Sequence, residues 1–212
     1  MKNVLVIAAH PDDEVLGCGG VIAKHKENGD KVRVVTFTNG VESRVIGDYY
    51  TIERRNEEEI LSSKILGYNP DLYMFDYPDQ KLDTIPLLDL ADRIPVLLGT
   101  DIVYTHYAND LNQDHRQLHH ATMIAFRPKP GQSCKEIYCY QVPSYGNTNF
   151  NPNYFVELTQ EQAELKLAAL ECYQSELNNR FNRKSILRML EECGNSIGVN
   201  YAEAFEVARI IQ

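Results

Sequence analysis

Apolar residues run unbroken from Val4 to Ala9, and the run is rich in β-branched side chains, as a strand buried on both faces of a parallel sheet requires. The pattern changes abruptly after it. His10, Pro11, Asp12, Asp13 and Glu14 follow, then Gly17, Gly19 and Gly20, and an amphipathic stretch over 15–28 that Gly29 stops, which predicts a helix. "KVRVVTFTNG" predicts a second strand ending in an Asn39-Gly40 turn, and "TIERRNEEEILSSKILG" a helix capped by Thr51 and stopped by Gly67. A third strand falls in "DLYMFDYPDQ", a helix interrupted near Pro95 over 84–98, and a fourth strand in "TDIVYTH". "YANDLNQDHRQLHHATMIAF" reads as a loop feeding a helix that Pro128 ends. "EIYCYQV" is a fifth strand, "YFVEL" a short one, 159–177 a capped helix, and the tail one more helix and the strand "EAFEVARI". Strand and helix alternate for two thirds of the chain, so the fold class is α/β, a mostly parallel sheet flanked by helices on both faces.

The length of 212 residues fits a single domain over 1–212, with no internal repeat or linker. A net charge of −9 without any basic cluster argues against a nucleic-acid partner. No stretch approaches the length of an apolar membrane span, and the N-terminal apolar run is too short for a signal peptide and ends in acids. The five cysteines, Cys18, Cys134, Cys139, Cys172 and Cys193, show no C-x-x-C spacing, which disfavours a disulfide framework and a thiolate zinc site. These features predict a cytoplasmic protein. They leave open whether copies associate into a homo-oligomer.

Six histidines are present, and His10, His106 and His115 fall at or just beyond the C-terminal ends of predicted parallel strands, where an open α/β sheet gathers its ligands. His10 and Asp13, three apart on a strand-to-helix turn, together with His115 give a two-histidine, one-carboxylate set suited to zinc or iron with positions left for water. His119, four residues after His115 on one helix face, is a competing ligand. It ranks lower because it lies a turn deeper in the helix. The acids at 12–14 would also favour a helix N-terminus, but capping does not account for His10-Pro11 before them or for the second cluster "NQDH". Tyr49, Tyr50, Tyr107 and Tyr145 lie in loops where a sugar ring could stack.

"AHPDDE" after a strand, followed by "LGCGG", resembles the metal-binding signature of the PIG-L/LmbE-like N-acetylglucosaminyl deacetylases, and "THYANDLNQDHR" is similar to that family's second metal motif. "ERRNEEEILSSKILG", "YQVPSYGNTNFNPNYFVELT" and "YAEAFEV" resemble its later segments, so the likeness runs nearly end to end. It implies a Rossmann-like fold, a divalent metal that is usually Zn2+, and removal of an N-acyl group from an amino sugar or glycoconjugate. It also implies His10, Asp13 and His115 as metal ligands, Asp12 as the base, Asp114 as an orienting residue behind the site, and Arg55 as a substrate contact. One position departs from the family pattern. Many members carry a histidine three residues before the third ligand, where this chain has Asn112, so either Asn112 covers the oxyanion or His106 reaches in from its strand. The alternative to a deacetylase is a metal-binding carbohydrate-binding or regulatory protein without turnover. A nucleotide-binding role is disfavoured because "GCGG" is not G-x-G-x-x-G. The acceptor sugar is expected to be set by the loops 41–50 and 143–153, whose sequence does not translate into a particular substrate.

Overall fold

The computed structural model describes residues 1–43, 51–70, 74–94, 99–131, 134–143, 149–177 and 181–211. Seven strands, β1 (Asn3–Ala8), β2 (Lys31–Thr38), β3 (Met74–Tyr77), β4 (Ile102–His106), β5 (Glu136–Tyr140), β6 (Tyr154–Leu158) and β7 (Tyr201–Ile210), form one sheet in the order β3-β2-β1-β4-β5-β7-β6. The first five run parallel, while β7 pairs antiparallel with both β5 and β6. The chain therefore builds outward from β1 to β2 and β3, and later from β4 to β5 on the other side. A crevice opens at the carboxyl ends of β1 and β4, where the strand order reverses.

Six helices cover the sheet: α1 (Asp13–Glu27), α2 (Ile52–Leu66), α3 (Leu87–Arg93), α4 (Gln113–Ala125), α5 (Gln160–Leu170) and α6 (Arg183–Ile197). Strand periodicity decides which side chain meets which layer. Val4 and Val6 of β1 join Val32 and Val34 of β2 in the core under α1, α2, α5 and α6, whereas Leu5, Ile7, Val35 and Phe37 join the core under α3 and α4.

Three predicted elements differ. The helix predicted over 84–98 is a 3₁₀ turn at Leu82–Thr84 followed by the short α3, which starts after Pro86 and ends at Ile94, whose extended ψ of 119° suits the residue before a proline. Pro95 itself lies outside the described residues. The helix predicted over 159–177 stops at Leu170, because the following turns place Tyr173 and Ser175 against buried groups of α1 and α2. The third strand is described only over Met74–Tyr77.

Helix α1 is kinked at Cys18, which has φ −149° and ψ 25°. A break of this kind takes amides and carbonyls off the helical ladder, and here they find charged partners. The Gly20 and Val21 amides donate to the Glu203 carboxylate at 3.0 and 2.7 Å, and the Leu16 carbonyl accepts from Lys166 Nζ at 2.8 Å. Lys166 and Glu203, both buried, close the network at 2.6 Å. Just before the kink, Gly17 lies against Tyr140 so closely that a Cβ there would stand 2.1 Å from the ring.

Candidate metal centre

Strand β1 ends at Ala8, and residues 9–12 turn the chain into α1 at the crevice. Nearly every polar group of the turn is engaged. The Asp13 carboxylate accepts from the His10 amide at 2.8 Å, the Asp13 amide donates to the His10 carbonyl at 3.2 Å, and the Asp12 carbonyl receives the Val15 and Leu16 amides. Asp12 has φ 111° and ψ −25°, a left-handed conformation that costs a non-glycine residue about 1–3 kcal/mol. Its N–H donates to Glu14 Oε2 at 3.1 Å. Helix α4 supplies the other half of the site: Asn112 caps it by accepting from the Asp114 amide at 2.9 Å, which sets Asp114 and His115 in its first turn.

The structure brings His10, Asp13 and His115 together, all buried. His10 Nδ1 lies 3.1 Å from Asp13 Oδ2, His115 Nε2 lies 3.2 Å from His10 Nδ1, and His115 Nε2 lies 3.3 Å from Asp13 Oδ2. Donors about 2.0–2.1 Å from a tetrahedral zinc stand about 3.3–3.4 Å apart, so the three atoms are spaced as one face of such a site. The far nitrogens face acids: His10 Nε2 is 3.1 Å from Asp79 Oδ1 and 3.3 Å from Asp114 Oδ2, and His115 Nδ1 is 3.1 Å from Asp110 Oδ2, although that N–H points off the acceptor. Carboxylates in those places hold the outer N–H groups and turn the ring lone pairs inward, the arrangement that serves a metal. Burial lowers the His115 pKa, but Asp13 and Asp110 outweigh it and push it up to about 9, and Asp13, Asp114 and Asp79 likewise raise His10. The acids call for positive charge between them. The donor set fits a divalent cation.

His106, at the end of β4, is fully buried, with its ring stacked on that of His115 at 4.0 Å between centroids. Its Nε2 accepts from the Ala9 amide at 2.9 Å, lies 3.3 Å from the Tyr140 hydroxyl and is 3.5 Å from Asp13 Oδ2. Burial, reinforced by the charge of His115, lowers its pKa well below the ordinary histidine value. His106 is therefore a neutral acceptor at Nε2. Asp12 is buried beside the cluster, and burial, with Glu176, Asp13 and Glu14 adding and Arg55 opposing, raises its carboxyl well above the usual range.

The family pattern described as PIG-L, GlcNAc-PI de-N-acetylase, matches residues 5–126, more than half of the chain and the part that carries every residue of this cluster. The chain belongs to the PIG-L family. It is 33% identical to the uncharacterized deacetylase YaiS of Escherichia coli over 181 residues, covering 82% of this chain and 91% of that one. It is 26% identical to the 4-oxalmesaconate hydratase of Pseudomonas putida, covering 100% of this chain and 88% of the relative. The structure of N,N'-diacetylchitobiose deacetylase from Pyrococcus horikoshii superposes with a TM-score of 0.79 at 25% identity, covering 98% and 84% of the two chains. The Rossmann-like α/β class is the one this PIG-L chain shares with those neighbours.

Placed in the PIG-L fold, Arg55 corrects an expectation. It is fully buried, and its guanidinium serves the protein: Nη2 donates to the Pro11 carbonyl, Nη1 to Ser175 Oγ at 3.1 Å, and Nη1 pairs with Glu176 at 3.1 Å. With no surface exposed, it grips the turn and does not reach substrate. His119, the competing ligand, stands apart from the cluster, and its Nδ1 donates to the His106 carbonyl at 3.0 Å. Asp114 receives the Gln80 and Leu82 amides at 2.8 and 3.0 Å as well as facing His10. Sequence reasoning passed over Asp79, Asp110 and Glu14 as site-shaping groups. Asp79 and Asp110 follow strands β3 and β4, the strand-end position that singled out the histidines. Tyr49, Tyr50 and Tyr145 lie outside the described residues, as do 44–50 and 144–148 of the two loops expected to set the acceptor.

Proposed function

We propose that the protein is a metal-dependent hydrolase that removes the N-acetyl group from an N-acetylhexosamine unit of a sugar or glycoconjugate, giving acetate and a free amine. The observation that carries this reading is the His10–Asp13–His115 cluster beside a buried, high-pKa Asp12 in a chain of the PIG-L family. His10, Asp13 and His115 would hold the cation, read here as Zn2+, while Asp79, Asp114 and Asp110 orient the two imidazoles. Bound there, a divalent cation supplies Lewis acidity toward the acyl oxygen and the attacking water. Asp12 takes the proton that the water loses as its oxygen joins the acyl carbon, and returns it to the nitrogen as the C–N bond breaks. The same proton leaves with the amine, so the step balances without another acid. Of the two groups that could face the oxyanion, Asn112 is the one we assign: its Oδ1 is taken by the Asp114 amide, which leaves its NH₂ to donate, whereas His106 Nε2 already accepts from Ala9.

No described helix is long and apolar enough to cross a membrane, and the cysteines are free thiols, which supports the cytoplasmic reading. The test is amine release from free, nucleotide-linked and lipid-linked N-acetyl sugars, with chelation abolishing turnover and zinc restoring it. Hydration of 4-oxalmesaconate is the comparison arm. Hydratase turnover with no amine from any sugar by the metal-loaded protein would overturn the assignment, and no turnover in either arm would favour a non-catalytic carbohydrate-binding protein.

A further inference from the structure

The Pro11–Asp12 peptide is held at both ends by charged side chains. Its carbonyl accepts from Arg55 Nη2, and its N–H donates to Glu14 Oε2 at 3.1 Å. In a trans peptide these groups point in opposite directions, so two charges on opposite edges fix its rotation about the chain axis. That rotation sets ψ of Pro11 and φ of Asp12, and φ of Asp12 is 111°. Turning the peptide over would carry Asp12 toward the negative φ that a non-glycine residue prefers. The strained conformation therefore persists because something holds it.

Both arms of the grip are themselves anchored. Glu14 is fully buried, and its other oxygen receives the hydroxyls of Tyr68 at 2.8 Å and Tyr173 at 2.7 Å. Arg55 is braced by Ser175 and Glu176 and lies over the Tyr173 ring, 5.3 Å from its centroid. Neither side chain faces the metal cluster with a free group. We propose that Glu14 and Arg55 are positioning residues that lock the Pro11–Asp12 peptide in its strained orientation and thereby aim the Asp12 carboxylate. The proposal rests on the reading of Asp12 as the base.

Two variants separate the hydrogen bond from the shape of the side chain. Glu14→Met keeps the length but removes the acceptor. Glu14→Gln keeps an acceptor, because its amide can turn its oxygen to the Asp12 N–H while the tyrosine hydroxyls rotate to accept from its NH₂. Glu14→Met should lose about 100-fold in kcat, the scale of a misplaced catalytic group, with KM and the metal content per chain unchanged. Its crystal structure should show the Pro11–Asp12 peptide turned over and Asp12 at negative φ. Glu14→Gln should keep the wild-type orientation and most of kcat. Should Glu14→Met fail to fold, Arg55→Lys takes its place. One ammonium cannot serve Pro11, Ser175 and Glu176 together in the planar fork's geometry, so the same kcat loss at constant KM is expected. An unturned peptide in the Glu14→Met structure, or metal and kcat falling together, would overturn the lock. If the wild type releases no amine from any sugar, the function reading fails, while the peptide orientation in the two Glu14 variants still decides the lock.

Discussion

Replacing Glu203 by leucine removes the acceptor of two α1 amides and the partner of a buried ammonium at once. Gly20 and Val21 donate to it at 3.0 and 2.7 Å, and Lys166 Nζ lies 2.6 Å away. An orphaned buried amide costs about 1–3 kcal/mol, and breaking a buried ion pair from one side about 3–5 kcal/mol. These overlap in one variant, so the loss should be about 4–5 kcal/mol, a fall in Tm of roughly 10–15 °C for a chain of this size. The informative variant is the double one. For an ordinary buried pair, Lys166→Met/Glu203→Leu would remove both charges and recover most of the stability. Here the pair also stands in for helix hydrogen bonds at the Cys18 kink, so the double variant still orphans the Leu16 carbonyl and both amides. It should remain about 2–4 kcal/mol less stable than wild type in urea unfolding followed by far-UV circular dichroism at constant m. A double variant within about 0.5 kcal/mol of wild type would refute the reasoning, since the charges alone would then account for the single-variant loss.

His10→Ala and His115→Ala should each strip the metal, measured as metal per chain by atomic spectrometry, whereas His119→Ala should retain it; the opposite pattern would remove the ligand assignment. Asp12→Asn should keep its metal and lose about 10²–10⁴ in kcat for amine release, because an amide takes no proton from water; loss of metal in step with activity would count against Asp12 as base. Glu59, whose carboxyl is pushed up to about 8 by burial and by the charge of Glu14, holds a proton in the folded state that the unfolded chain releases above its ordinary value near 4.5. Stability should therefore fall as pH rises from about 4.5 through 8, and Glu59→Gln should flatten that slope in urea midpoints taken across the window; equal slopes would show that Glu59 is not the group responsible.

Much of this was legible in the chain. The apolar run of β1 ending in a histidine and acids names a strand edge, because only a strand buried on both faces is so uniformly apolar and only its carboxyl end opens to a ligand. The same logic reached His115 across more than a hundred residues, since the strand order places β4 beside β1. What pattern does not carry is direction. Arg55 sits on a helix of polar composition, and nothing in "ERRNEEE" says that this arginine turns inward to the Pro11 carbonyl while Arg54 pairs with Glu58 near the surface. The early end of α5 was hidden for a related reason: local propensity continues past Leu170, but Tyr173 and Ser175 are claimed by Glu14 and Glu58 from other elements.

The buried charges missed by sequence reasoning share one task, which explains why so acidic a protein keeps them inside. Each compensates a departure from regular backbone geometry near the crevice. Lys166 and Glu203 occupy the polar groups freed where α1 bends at Cys18, one residue after Gly17 passes over the Tyr140 ring. Tyr140 donates to the Ile7 carbonyl at 2.6 Å and lies against His106, which in turn is stacked on His115. A straight α1 with a side chain at position 17 would drive that ring off the end of β1. On the other flank Glu14 and Arg55 hold the peptide before Asp12. A loop without such partners would relax to a cheaper backbone and spread its carboxylates over solvent. Here the surrounding charges make the costly geometry the stable one, so Asp12, Asp13 and His10 meet His115 already in place.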